Sequence, residues 1–302
     1  MLTVFIQVVK LLFFALIGYV LAKSKIIKSE NAGILSKLLV WVFLPCNIFK
    51  TFAKNCTITY ISENYLLIIT SFATIATLAV VMYFVSKLMT KDKYGRRVYE
   101  YSLVIPNNGY MGYPMSETLF GGTGLTNAML FSLPFSLYIY TYGFCILTKR
   151  SLSLKKLLNP VVISMALGIA VGLISIPIHD TVYSVFDSLS ACMAPVSMLL
   201  AGIVISDFDL KSLLTNGGAY ATACLRLIVI PFTVGGILKL VSAPSEILAT
   251  AVLLFSMPCG LNTIVFPKSI DEDCRPGASI ALVSSVLSCL TVPLILFIFG
   301  LA

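Results

Sequence analysis

Val104-Ile105-Pro106-Asn107-Asn108-Gly109-Tyr110-Met111-Gly112-Tyr113-Pro114-Met115 lies inside an apolar run long enough to enter a membrane as a helix. No α-helix passes undisturbed through it, because proline removes an intrahelical donor and glycine and asparagine are poor helix formers. Backbone opened in lipid leaves N–H and C=O groups unpaired at several kcal/mol each. Such a break is tolerated only inside protein or beside a water-filled cavity. The rest of the chain is read as organised around this break.

The composition supports a membrane setting. Of 302 residues, 58% are hydrophobic and only 11% are charged, with a mean hydropathy of +0.98. Soluble domains carry about 25% charged residues. The apolar runs are continuous and lack period-2 alternation, which excludes an outer-membrane barrel and predicts an all-α integral membrane protein. The net charge of +8 is not a nucleic-acid signal, because the basic residues sit in short loops between apolar runs. Eight cysteines (46, 56, 145, 192, 224, 259, 274, 289) and one histidine show no metal-ligand spacing, so packed, reduced thiols and no metal site are expected. Leu11–Ala22 ends like a signal peptide, but Met1–Val9 is itself apolar, so the segment is read as a retained first span.

Ten apolar segments can be drawn: Val4–Ala22, Ala32–Ala53, Asn64–Met89, Val98–Phe120, Leu125–Thr148, Leu157–Ile176, Val182–Ser206, Leu213–Val241, Glu246–Lys268 and Ala278–Leu301. Each is near the roughly 20 residues a span needs. Lys and Arg crowd the odd-numbered loops (Lys23, Lys25, Lys28; Lys87–Arg97; Lys149–Lys156; Lys211; Lys268, Arg275), whereas the even-numbered loops hold little beyond Lys54. The positive-inside rule then places both termini on the extracytoplasmic side of the cell (plasma or inner) membrane. Gly121-Gly122-Thr123-Gly124 is read as a tight outer turn; it lacks the ending of a phosphate loop.

The irregularities recur. Leu44-Pro45-Cys46-Asn47 in the second segment matches Ala194-Pro195-Val196-Ser197 in the seventh. Pro106-Asn107-Asn108-Gly109 in the fourth matches Pro258-Cys259-Gly260-Leu261-Asn262 in the ninth. Five spans per half is odd, so halves 1–150 and 151–302 would be inverted repeats within one transmembrane domain. Interrupted helices at matching places in inverted halves are the best sequence pointer to a transporter site.

On LPCNIF (Leu44–Phe49), NNGYMGYP (Asn107–Pro114), the Pro195 segment and MPCGLNTIVF (Met257–Phe266), in this order and spacing, the whole chain resembles the auxin efflux carrier family, which includes bacterial malate-permease-type carriers. The resemblance implies ten transmembrane helices as two inverted five-helix repeats, similar to bile-acid-symporter and sodium/proton-antiporter folds. It implies that discontinuous helices 4 and 9 cross beside the substrate, and that the cargo is a small organic anion. One departure is that no Asp or Glu lies within either break. This absence of buried acids argues against the acid-based proton antiport of the related fold.

Crossed breaks would expose helix N-termini suited to a carboxylate, and C-terminal carbonyls suited to a cation or hydroxyl. Asn107, Asn108 and Asn262 are the candidate ligand contacts, since an amide both donates and accepts without burying a charge; capping the opened backbone is their other reading. Gly109, Gly112 and Gly260 would allow positive φ or close approach, and tight helix packing is the alternative. Pro106 and Pro258 make the breaks, and Pro45 and Pro195 kink their helices. Asn47 and Ser197 are candidate wall residues. Arg226 lies too deep to snorkel, so it is either an anion-binding residue or a structural partner of opened carbonyls or of Asp187 or Glu117.

The function read here is a secondary carrier or uniporter for malate-like carboxylates working by alternating access, with no cofactor. Sodium coupling, proton coupling and no coupling all stay open, as does a homodimeric state. Auxin-like indole acids fit less well, because the chain lacks a long cytoplasmic loop. A receptor or partner protein would not need two matched breaks. An intramembrane enzyme is disfavoured, because the single histidine, His179, falls in an outer loop.

Overall fold

The computed structural model describes residues 2–149 and 160–301, and almost everything in them is helix. We label the helices α1 (Leu2–Lys23), α2 (Ser29–Asn55), α3 (Tyr65–Met89), α4 (Lys93–Val104), α5 (Asn108–Phe131), α6 (Leu133–Leu147), α7 (Pro160–Ile174), α8 (Asp180–Ser206), α9 (Gly217–Leu240), α10 (Ser245–Ser256), α11 (Asn262–Lys268) and α12 (Arg275–Ile298). The apolar segments fall on helix except at the breaks in the fourth and ninth, and residues 157–159 of the sixth lie outside the described residues. Five helices (α2, α3, α8, α9, α12) are individually long and apolar enough to cross a membrane, and α5 with α6, bent by 41°, makes a sixth candidate. α5 is two limbs joined at Gly121, whose φ of 68° and ψ of −164° only glycine adopts readily. This is the turn expected between the fourth and fifth segments. The basic residues Arg150, Lys155 and Lys156, and the boundary between residues 150 and 151, lie outside the described residues.

Proline sets most of the local irregularity. π-helical turns at Leu39–Phe43, Asn108–Gly112 and Leu225–Val229 are each followed by Pro45, Pro114 and Pro231. A proline leaves the carbonyl four residues earlier without its donor, and here that carbonyl falls inside the widened turn. The expected interruption at Leu44-Pro45-Cys46-Asn47 is therefore corrected. The helix runs on through Pro45, and only its hydrogen-bond register slips, one step earlier. Pro195 acts similarly, since α8 loosens at Cys192, next to the carbonyl of Ala191 that Pro195 cannot reach.

The helices pair in a repeating way. α1 packs on the second limb of α8, and α7 packs on the second half of α2. α3 packs on α4 and α6, while α9 packs on α10 and α12. Glycines allow the two closest approaches. A Cβ on Gly18 would stand 2.2 Å from Leu199 O, and one on Gly202 would stand 1.9 Å from Ala15 O. A Cβ on Gly168 would stand 2.8 Å from Phe49 O, and one on Gly172 would stand 2.7 Å from Phe52 O. Small residues at such contacts are how membrane helices gain packing where lipid supplies no hydrophobic drive. The outer faces of α1 and α3 expose Phe13, Leu16, Ile69, Phe72, Val80 and Phe84, which suits contact with acyl chains. At the centre, α10 from Thr250 onward and α11 as far as Pro267 are buried.

The α1–α8 contact can be tested by Gly202→Ala. The added methyl forces the helices apart, and overpacking of this kind costs about 1–3 kcal/mol. A lower Tm of the detergent-solubilised protein is the expected result. Gly236→Ala, where a Cβ meets nothing within 4 Å, is the control and should leave Tm unchanged or slightly raised.

Candidate substrate site at the crossed helix breaks

The two breaks form because a residue before proline is driven out of helical backbone. Ile105 takes φ −104°, ψ 112° before Pro106, and Met257 takes φ −66°, ψ 148° before Pro258. Residues 105–107 and 257–261 then leave the helical path and meet. Pro106 stands opposite Cys259 in an antiparallel bridge. The Asn107 N–H donates to Pro258 O at 2.8 Å, and the Gly260 N–H donates to Ile105 O at 3.2 Å. The Cys259 N–H donates to Ser284 Oγ on α12 at 3.2 Å. Each break thus satisfies the other's opened backbone.

The glycines act differently from expectation. Neither Gly109, Gly112 nor Gly260 has a positive φ. A Cβ on Gly260 would stand 3.4 Å from Ile105 O, an ordinary van der Waals contact, so the close approach there does not require a glycine. Gly112 faces the Leu254 side chain at 2.8 Å, whereas Gly109 faces open space.

Arg226 is fully buried on the carbonyl side of the crossing. Its Nη1 donates to Leu103 O at 3.0 Å and its Nε to Met257 O at 3.4 Å. These carbonyls lie at the C-terminal ends of α4 and α10, where helix dipoles leave partial negative charge. The guanidinium also lies 5.4 Å from the centre of the Phe255 ring, a cation–π contact. The π turn of α9 carries Arg226. Asp187 is not its partner, because that carboxylate pairs with Lys50 on α2. Of the roles considered for Arg226, binding to opened carbonyls is the one the geometry displays.

The opposite side of the crossing holds the N-termini of α5 and α11, and here lies a cavity of about 60 Å³. It is lined by Pro106 through Tyr110, by Gly260 to Asn262, by Asn47 and Thr51 of α2, and by Ser132, Ser136 and Tyr140. Several lining atoms are buried without a hydrogen-bond partner among the described residues: Asn107 Oδ1 and Nδ2, Asn108 Oδ1, Asn262 Oδ1 and Thr51 Oγ1. Native proteins leave few such atoms unpaired, so these are the atoms that an ordered water or a polar ligand would satisfy. Asn108 Nδ2 reaches Ser132 Oγ at 3.4 Å, and Asn262 Nδ2 donates to Tyr101 OH at 2.9 Å.

The crossing therefore gathers Pro106, Asn107, Asn108, Gly109, Asn262 and Gly260, with Asn47 half-buried in the wall. Ser197 is buried outside the lining and donates to Ala194 O of its own helix at 3.1 Å. Tyr101, Thr51 and Ser132 were missed, because an aromatic or hydroxyl in an apolar run reads as packing until its partner is known. Glu100 was missed too. It lies outside the break yet is only 4% exposed, which corrects the expectation that buried acids are absent. His179 caps its own helix, its Nδ1 accepting from the Thr181 N–H at 3.3 Å.

An all-helical membrane chain with two broken helices knitted together around a polar cavity has the form of a transporter. Comparison with known proteins agrees. The family model described as membrane transport protein matches residues 3–156 and 147–296. The chain is 25% identical over 295 residues to an uncharacterized transporter of Methanocaldococcus jannaschii, and the match covers 94% of each protein. It is 22% identical over 297 residues to an uncharacterized transporter of Methanothermobacter thermautotrophicus, covering 95% of each. The chain belongs to this membrane transport protein family, that of the auxin efflux carriers.

Removing the guanidinium should loosen the crossing. Arg226→Met strips donors from two buried carbonyls, at about 1–3 kcal/mol for each group left unsatisfied. A Tm drop of several degrees in detergent is expected, with Arg226→Lys intermediate because one ammonium cannot span both carbonyls in a fixed fork.

Proposed function

We propose that the protein is a carrier of small organic anions, malate-like carboxylates foremost, working by alternating access around the crossed breaks. The observation that carries this reading is the set of unpaired amide atoms of Asn107, Asn108 and Asn262 around the cavity at the helix N-termini. The first turn of α5 lines the same cavity, and a helix N-terminus favours negative charge. The carbonyl ends are already met by Arg226. An anion thus faces a positive site, and a cation finds its counterpart occupied. A cavity of about 60 Å³ holds only a few waters' worth of atoms, at roughly 10–15 Å³ of such volume each. It suits one carboxylate, so admitting a whole dicarboxylate requires the walls to part.

The recurring helix pairs and the matched breaks support two inverted five-helix halves, near residues 1–150 and 151–302, forming ten spans in one domain. One-sided loop charge supports a cell-membrane location with both termini outside. In this reading α4, α5, α10 and α11 move against the packed pairs α1–α8 and α2–α7. No cofactor is required.

A thermal-shift screen of purified protein against mono- and dicarboxylates should show malate raising Tm, because a ligand bound only to the folded state stabilises it. Asn107→Ala and Asn262→Ala should each weaken binding by about 10–100-fold, the worth of one hydrogen bond to a charged group. Unaltered malate affinity in both variants would sink the site assignment.

The occupied carbonyl side carries a second expectation. Malate uptake into proteoliposomes should be the same in sodium and in N-methylglucamine buffers. A steep sodium requirement would show that a cation site exists elsewhere.

A further inference from the structure

Glu100 has no part in the site described so far. It sits on α4 one turn before the break and is 4% exposed. Its Oε1 accepts a hydrogen bond from Tyr142 OH of α6 at 2.9 Å. Tyr138 stacks beside Tyr142, ring centres 5.3 Å apart, and its hydroxyl faces the same carboxyl without closing a hydrogen bond. Among the described residues no Lys or Arg forms an ion pair with Glu100. Arg96 and Arg97 act on it from the preceding turn of its own helix. From α3 comes Tyr83, whose ring is covered by Lys87 at 3.9 Å. Arg226 of α9 turns its Nη1 and Nε to carbonyls, and its Nη2 is buried without a hydrogen-bond partner among the described residues. Lys268 ends α11 and Arg275 begins α12. A carboxylate buried without a cationic partner is costly, and a proton relieves that cost.

Glu100 is also tied to the cavity. The next residue, Tyr101, is fully buried and accepts the hydrogen bond from Asn262 Nδ2. A Cβ on Gly143 would stand 2.7 Å from the Tyr101 ring, so Tyr142, Glu100 and Tyr101 are held in one packed unit. We propose that Glu100 is a proton-binding site coupled to the anion site through Tyr101 and Asn262, and that the carrier moves a proton together with its anion. This inference rests on the carrier reading above. An anion entering the crossing adds negative charge beside a buried carboxylate. Like charges repel, so anion binding favours the protonated acid, and by reciprocity protonation favours the anion. Only one bond is made and broken: the carboxylate takes a proton from water on one side and returns it to water on the other.

The test uses the full chain in proteoliposomes holding a trapped pH dye, with malate added outside. Internal acidification that accompanies malate entry in the wild type is expected, as is its loss in Glu100→Gln while exchange of labelled for unlabelled malate continues. Tyr142→Phe removes the donor that favours the carboxylate, so the pH dependence of uptake should move upward by about one to two units. It serves if Glu100→Gln does not fold. Malate uptake without acidification, or acidification that persists in Glu100→Gln, overturns the coupling and leaves the carrier standing. Absence of wild-type uptake for malate and for every other anion of the screen overturns both.

Discussion

Everything in this protein depends on the cost of opening a helix where water is scarce. Proline forces Ile105 and Met257 into extended backbone, and the freed groups need partners. Two hydrogen bonds between the breaks, one donated to Ser284 Oγ and two donated by Arg226 supply them. Neither break could persist alone, because each is the other's main partner.

That arrangement separates charge. The C-terminal ends of α4 and α10 converge on Arg226, so their partial negative charge is met from within the protein. The N-termini of α5 and α11 converge on amides and a small cavity.

The surrounding helices hold this centre through contacts that tolerate little change. Gly18 and Gly202 bring α1 and α8 to backbone contact, and Gly168 and Gly172 do the same for α7 and α2. The prolines at 45, 114 and 231 each release a carbonyl that a π turn accommodates. One such turn carries Arg226, so a local backbone defect becomes the means of placing the buried charge.

The membrane class, the all-helical character and both breaks were legible in the sequence, because apolar length and proline chemistry act locally. It also singled out Asn107, Asn108 and Asn262, all three of which line the cavity. It did not disclose that Arg226 grips Leu103 and Met257, that Asn262 leans on Tyr101, or that Ser197 turns to its own helix. Nor did it show that Glu100, placed by its neighbours Arg96 and Arg97 near a basic loop, is buried. Those facts belong to the tertiary structure. A side chain's partner lies on another helix far along the chain, and only packing decides whether a charge meets a carbonyl, a phenol or the membrane surface.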